Sequence, residues 1–389
     1  MAGVVILSAK RTPIGKFGGG LATQSAVSLG TVAATAAITA AQVAPATVDQ
    51  AIIGNVLQAN SGQNVARQIA LGAGLATSST AMTINQVCGS GLKAVRLGET
   101  AIAMGDATTV LVGGTESMST TPFYAPNMRN GHRLGDVSFV DGMMKDGLAD
   151  AFSGEPMGTT AENVAREYQV DRAAQDAFAL RSHQRAVAAQ ARDAFAAELA
   201  PVTIGDTVIR RDEAPRPDTD AAKLARLKPA FRHGGTVTAG NSSGINDGAA
   251  ALVLTSKAHA EATHAEYLAE LTGYAEGGID PAIMGYAPKQ VIENLLAKTG
   301  STVADIDLFE LNEAFAAQSV AVARDLGIPD AKLNVNGGAL ALGHPLGASG
   351  ARILVTLIHA LRARGLHRGI AALCVGGGMS VAVAVTIPD

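Results

Sequence analysis

The sequence predicts an α/β fold made of two similar halves, with a long insertion carried by the first. Three observations point there. Short runs rich in Val, Ile and Leu alternate with alanine-rich stretches of helical length over residues 1–116 and 244–268, and again over 269–389. Between these, residues 117–243 lose that rhythm, and Pro122, Pro126, Asn127, Asn130, Gly131 and Gly135 mark irregular chain. Third, the order of segments in the second half weakly repeats that of the first at a nearly constant offset.

Taken in order, Val4-Val5-Ile6-Leu7 is a short strand followed by Arg11-Thr12-Pro13. Ser25 to Gln42 is helical and stops before Pro45, which cannot continue a helix. Val48 to Val56 reads as a strand and Asn64 to Gly72 as a short helix. Met82, Ile84 and Val87 read as a strand running up to Cys88, and Gly89-Ser90-Gly91 turns the chain into a helix that begins Leu92-Lys93-Ala94-Val95. Thr108 to Val112 is a buried strand ending at Gly113-Gly114.

Inside the insertion, Thr160 to Tyr168 and Arg172 to Ala200 are helical. Gln175, Arg181, Gln184 and Arg185 mark the second of these as a mostly solvated helix, and Asp212 to Asp220 as an exposed, Pro- and charge-rich loop follows it. An insertion of this kind covers something. Gly248 to Thr255 then returns as a buried strand. In the second half, Ile306 to Asn312 answers the strand ending at Asn55. His344, in a Gly-rich turn before a helix over Ala351 to Arg364, takes the place of Cys88, and Leu373 to Met379 echoes Leu111 to Thr115. The repeat implies two parallel-rich sheets with their loop ends at one shared cleft.

Composition narrows the chemistry. With 389 residues, 48% hydrophobic and 16% charged, the chain can bury a large core and hold two or three domains. A net charge of −4 and no tryptophan give no reason to expect nucleic acid, or an anionic membrane, as partner. No apolar run reaches the roughly 20 residues of a membrane span. Met1 to Lys16 lacks the order of a signal peptide, so a reducing, cytoplasmic home is expected. The two cysteines, Cys88 and Cys374, are far apart and neither has a C-x-x-C neighbour, which argues against a disulfide scaffold and a zinc site; no metal is expected.

Cys88 lies where a strand hands over to a helix, and the unpaired N–H groups and positive dipole of a helix N-terminus favour a thiolate. Singly, Cys88 reads equally as a small buried hydrophobe, Asn312-Glu313 as a cap, and His344 as a donor to a turn carbonyl. Four such residue types, Cys88, Asn312, His344 and Cys374, at the ends of equivalent segments are a different matter. A Cys/His pair is the arrangement for making a thiolate nucleophile.

Several longer stretches carry a family resemblance. Asn85-Gln86-Val87-Cys88-Gly89-Ser90-Gly91, the segment 235–250 (GTVTAGNSSGINDGAA), Asn312-Glu313-Ala314-Phe315-Ala316, the segment 334–352 (NVNGGALALGHPLGASGAR) and Leu373 to Met379 together resemble the thiolases. That family comprises acetyl-CoA acetyltransferases and 3-ketoacyl-CoA thiolases, and the resemblance covers essentially the whole chain. It implies duplicated βαβαβαββ halves in an α-β-α-β-α layering with an inserted loop domain. It also implies reversible Claisen condensation and thiolysis through an acyl-cysteine, with acetyl-CoA acetyltransferase the favoured activity and a longer-chain degradative 3-ketoacyl-CoA thiolase the alternative.

By the same resemblance, Cys88 holds the acyl group, His344 takes its proton, and Cys374 is acid and base at the second substrate. The N–H groups of Cys88 and Gly376 form one oxyanion hole; Asn312, through a water, and His344 form the other. Ser243, Leu148 and Met157 meet the pantetheine of coenzyme A, Arg216 its adenine, while Phe315, Met284 and Ala314 line the acyl end. Coenzyme A is then a substrate, with no permanently bound cofactor, and the protein a homodimer or homotetramer meeting through an arm over Phe123 to Val140. The sequence departs from the family pattern at Pro156, where many short-chain members carry histidine, and at Ser380, where glycine is usual. A ketoacyl synthase, with one cysteine and two histidines, fits less well, and the presence of Cys88 and His344 disfavours a non-catalytic coenzyme A-binding relative. From Cys88 and His344 together with the helix N-terminus, an ion pair is expected, with a thiolate below the ordinary cysteine range.

Overall fold

A computed structural model of the chain describes residues 3–388. The strands are β1 (Val4–Arg11), β2 (Gly15–Lys16), β3 (Gln50–Gly54), β4 (Thr80–Ile84), β5 (Thr109–Ser117), β6 (Phe123–Tyr124), β7 (Val140–Asp141), β8 (Val202–Ile204), β9 (Thr207–Ile209), β10 (Asn246–Ser256), β11 (Ala269–Gly278), β12 (Leu308–Leu311), β13 (Arg368–Val375) and β14 (Met379–Thr386). In the first half the helices are α1 (Ala26–Ala41), α2 (Val65–Gly72) and α3 (Ser90–Met104). The insertion carries α4 (Met157–Glu167), α5 (Arg172–Ala191) and the short α6 (Ala221–Ala225), and α7 (Lys257–Ala262) follows β10. The second half has α8 (Ala287–Thr299), α9 (Ala316–Leu326), α10 (Ala339–Leu342) and α11 (Leu346–Arg362).

The expected pair of parallel-rich sheets is corrected by a single mixed sheet of ten strands, ordered β12-β13-β14-β11-β1-β10-β5-β3-β4, with β2 beside β10. Only β3–β4, β3–β5 and β12–β13 pair in parallel. The halves join where Val4, Val5 and Ile6 of β1 meet Leu271, Glu270 and Ala269 of β11. Alternation along the strands sends side chains to three cores. Val5 and Leu7 pack outward with α1 and α2. Val4 and Ile6, with Leu373 and Val383, pack inward on α3 and α11. Ile370, Ala372 and Ala382 pack outward with α8 and α9. The resulting order of layers is helix, strand, helix, strand, helix.

The central helix is buried nearly all round. In α11 even Arg352, Ser349 and Thr356 are buried, as expected of a helix with no solvated face. This places its N-terminal end, and His344 just before it, in the middle of the molecule.

Four local expectations change. β5 runs on through Gly113-Gly114 to Ser117, because those glycines let β10 and α11 approach closely: a Cβ at Gly114 would stand 1.9 Å from the Gly347 carbonyl oxygen. The strand before Cys88 stops at Ile84. The long helix of the insertion ends at Ala191, with Arg192 as its C-cap, and one face of it is buried rather than solvated, with Gln175 bonded to Thr236 and to the Val170 carbonyl. Asp212 is also buried, held by Arg11 at 2.7 Å, so the loop that follows is anchored at its root.

Candidate active site

The turn after β4 is braced by side chains. Val87 has φ of 45°, a conformation that costs a β-branched residue on the order of 1–3 kcal/mol. Asn85 Oδ1 accepts its N–H at 2.8 Å, and Ser90 Oγ donates to its carbonyl at 2.6 Å while accepting the Gln86 N–H at 2.9 Å. This hydrogen-bonded clamp presents Cys88 at the start of α3. Gly89 and Gly91 serve contact between the halves: Cβ atoms there would meet Val375 Cγ2 at 2.9 Å and the Ala351 nitrogen at 2.4 Å.

His344 arrives from the other half, its N–H donating to Asn246 Oδ1 at 3.0 Å. Its Nε2 lies 3.3 Å from Cys88 Sγ, and its Nδ1 lies 2.5 Å from Ser349 Oγ. Ser349 uses its one hydroxyl proton on the Pro345 carbonyl at 2.8 Å, so it accepts from Nδ1–H. The lone pair of Nε2 therefore faces the sulfur, the tautomer a base needs.

Asn312 follows β12 and puts Nδ2 at 3.4 Å from both ring nitrogens of His344, which sets the amide against the ring face. Its Oδ1 is buried without a hydrogen-bond partner. Cys374 lies on β13, and Gly377 and Gly378, with φ of 85° and 83°, reverse the chain into β14. Both cysteines are free and buried.

The charge state corrects one expectation. Burial pushes the Cys88 thiol up to about 11, opposed by the backbone N–H groups of Gly376 and of Cys88 itself. Burial, with Arg352 adding to it, pulls His344 down to about 3. Both directions favour a neutral pair over an ion pair, the desolvation of two charges opposing the helix N-terminus. Cys374 is also raised, by burial first and then by Cys88.

A cavity of about 580 Å³ brings the sites together. Cys88, His344, Cys374 and Gly376 line it, together with Leu148, Met157, Ser243, Met284, Ala314, Phe315 and Arg216. Asn312 is absent from the lining and stands behind, against His344. Met284, Ala314 and Cys374 pack as one apolar cluster with Met157 and Phe315. Pro156 is on the wall as well, while the buried Ser380 pairs across from Cys374. Arg216, also on the wall, donates its backbone N–H to His183 Nδ1 at 3.2 Å.

The residues that sequence reasoning missed are Ser349, Asn246, His183 and Phe231, the last of which also lines the cavity. Ser349 alone carried a signal, five residues past the histidine in the first turn of the helix.

Family models decide the relationship: the thiolase N-terminal domain matches residues 4–258 and the thiolase C-terminal domain residues 265–387. The chain belongs to the thiolase family. It is 51% identical to an acetyl-CoA acetyltransferase of Chromobacterium violaceum over 99% of this chain and 100% of the relative. It is 50% identical to the acetyl-CoA acetyltransferase of Escherichia coli over 99% of both chains. Among solved structures, Bacillus anthracis acetyl-CoA acetyltransferase superposes with a TM-score of 0.98 at 43% identity, covering 100% of this chain and 99% of that one. Human mitochondrial 3-ketoacyl-CoA thiolase in complex with CoA gives 0.97 at 42%, covering 100% and 98%. Among the described residues of this thiolase, no helix is long and apolar enough to cross a membrane.

Proposed function

We propose that this thiolase is an acetyl-CoA acetyltransferase that condenses two acetyl-CoA, or cleaves the 3-ketoacyl-CoA product, through an acyl group on Cys88. The observation that carries the reading is the His344 Nε2 lone pair 3.3 Å from Cys88 Sγ, with the tautomer fixed by Ser349. His344 takes the thiol proton as the sulfur bonds to the thioester carbon. The bond to coenzyme A sulfur then breaks, and that sulfur leaves with a proton from Cys374. The Cys374 thiolate removes a proton from the α-carbon of the second acetyl-CoA. That carbon bonds to the acyl carbon, and Cys88 leaves and recovers its proton from His344. The raised pKa of Cys374 suits a base that must attack carbon. The N–H groups of Cys88 and Gly376 stabilise the acyl oxyanion, and Asn312, through a water, with His344 the enolate oxygen.

Coenzyme A enters as substrate and not as a resident cofactor. It lies along the cavity under the inserted residues 117–243, which join halves made of 1–116 plus 244–268 and of 269–389; residues 1, 2 and 389 are outside the described structure. Ser243, Leu148 and Met157 meet its pantetheine and Arg216 its adenine, while Met284, Ala314 and Phe315 hold the acyl end. The apolar Pro156 on the wall favours one second reading, a 3-ketoacyl-CoA thiolase that takes longer chains. The protein works in the cytoplasm as a homodimer or homotetramer. Cys374→Ala tests the division of labour: acetyl-CoA should still acylate Cys88, more slowly because coenzyme A then leaves as the bare thiolate, while exchange of its α-protons with solvent should collapse. Loss of acylation as well would refute it.

A further inference from the structure

Glu116 near the end of β5 is a fully buried carboxylate that the chemistry above does not use. Its Oε1 accepts from Asn55 Nδ2 at 2.6 Å and the Leu57 N–H at 3.0 Å. Its Oε2 accepts from the Val56 N–H at 3.0 Å and the Gly347 N–H at 2.8 Å. Three of these donors belong to the first half. The fourth, Gly347, is in the first turn of α11, three residues after His344, where helix N–H groups have no partner of their own. The positive end of that helix also favours an anion.

The fit leaves no slack. A Cβ at Gly347 would stand 2.9 Å from Glu116 Oε2 and from Asn55 Cα, and 2.8 Å from the Thr115 carbonyl oxygen. The start of α11 is therefore seated directly on the ends of β3 and β5, with Glu116 as the pin between them.

We propose that Glu116 is a positioning residue: by tying the first turn of α11 to the first half, it holds His344 in register with Cys88. This rests on the acyl-cysteine reading above. Glu116 touches neither sulfur nor imidazole; apart from the field of its charge, which helps raise the Cys88 thiol, it acts through the backbone on which His344 is carried.

Glu116→Gln keeps the volume but turns an NH₂ group towards two of the four N–H donors, whichever way the amide lies. In the full-length protein, rapid-quench mass spectrometry with acetyl-CoA gives both the rate constant and the amplitude of acylation. Misplacing His344 should lower the rate constant about 10²-fold, leave the amplitude intact and change KM for acetyl-CoA less than about twofold. A merely structural role would lower the amplitude and spare the rate constant, and that result overturns the proposal. Should the variant not fold, Asn55→Ala removes one donor from Oε1 and should slow acylation about tenfold; a wild-type rate there also overturns it. Wild-type protein that never acylates would refute the acyl-cysteine reading beneath, whereas wild-type acylation matched by Glu116→Gln refutes this inference alone.

Discussion

Ser349 decides which nitrogen of His344 faces Cys88, and it does so with a single hydroxyl proton already spent on Pro345. The proton of Cys88 is then the one the chemistry must move. Because burial lifts the Cys88 thiol to about 11, the reactive thiolate is scarce in the free protein at neutral pH and grows as pH rises. Alkylation of Cys88 by iodoacetamide should accordingly keep accelerating from pH 8 to pH 10, past the ~8.5 of an ordinary cysteine. A rate already level below pH 8 would show a resting thiolate and contradict the neutral pair. That Cys88, His344 and Cys374 meet in one cavity was legible in the sequence because glycines and strand ends frame each of them. Their charge was not, since a helix N-terminus can be read locally but the depth of burial is set by the other half of the chain.

The glycines around Cys88 look in sequence like turn makers, yet at the scale of elements they act as spacers. Val87 carries the strained backbone, and Gly91 lets α3 lie against α11. A methyl group at Gly91 would meet the backbone nitrogen of Ala351 at 2.4 Å, and a buried helix backbone has nowhere to retreat. Gly91→Ala should therefore destabilise the protein by about 1–3 kcal/mol, read as a lower denaturant midpoint. An unchanged midpoint would mean that the two central helices are not locked together there. The same limit explains α5. Its Gln175, Arg181, Gln184 and Arg185 suggest a solvated helix, but a polar residue buried with a partner, as Gln175 is with Thr236, looks no different in sequence from an exposed one.

Over the whole molecule, Cys88 and His344 each stand just before a central helix, α3 and α11, and β1–β11 pairing closes the halves around those helices. The parallel-rich reading failed because strand direction depends on long-range returns such as β10, which local periodicity does not encode. The arm between β6 and β7 leaves Phe123, Leu134 and Phe139 exposed, Leu134 at 92%, and an apolar surface of that kind suits contact with a second copy. Light scattering at micromolar concentration should give a dimer or tetramer; a monomer would count against that assembly. The account as a whole stands on one contact between the halves, His344 to Cys88. Its most direct test is the rate at which acetyl-CoA acylates Cys88 in the wild type and in His344→Asn, followed by intact mass. The predicted result is an adduct on Cys88 in the wild type, absent in Cys88→Ala and formed at least about 10²-fold more slowly in His344→Asn. Equal rates in the wild type and His344→Asn would contradict it.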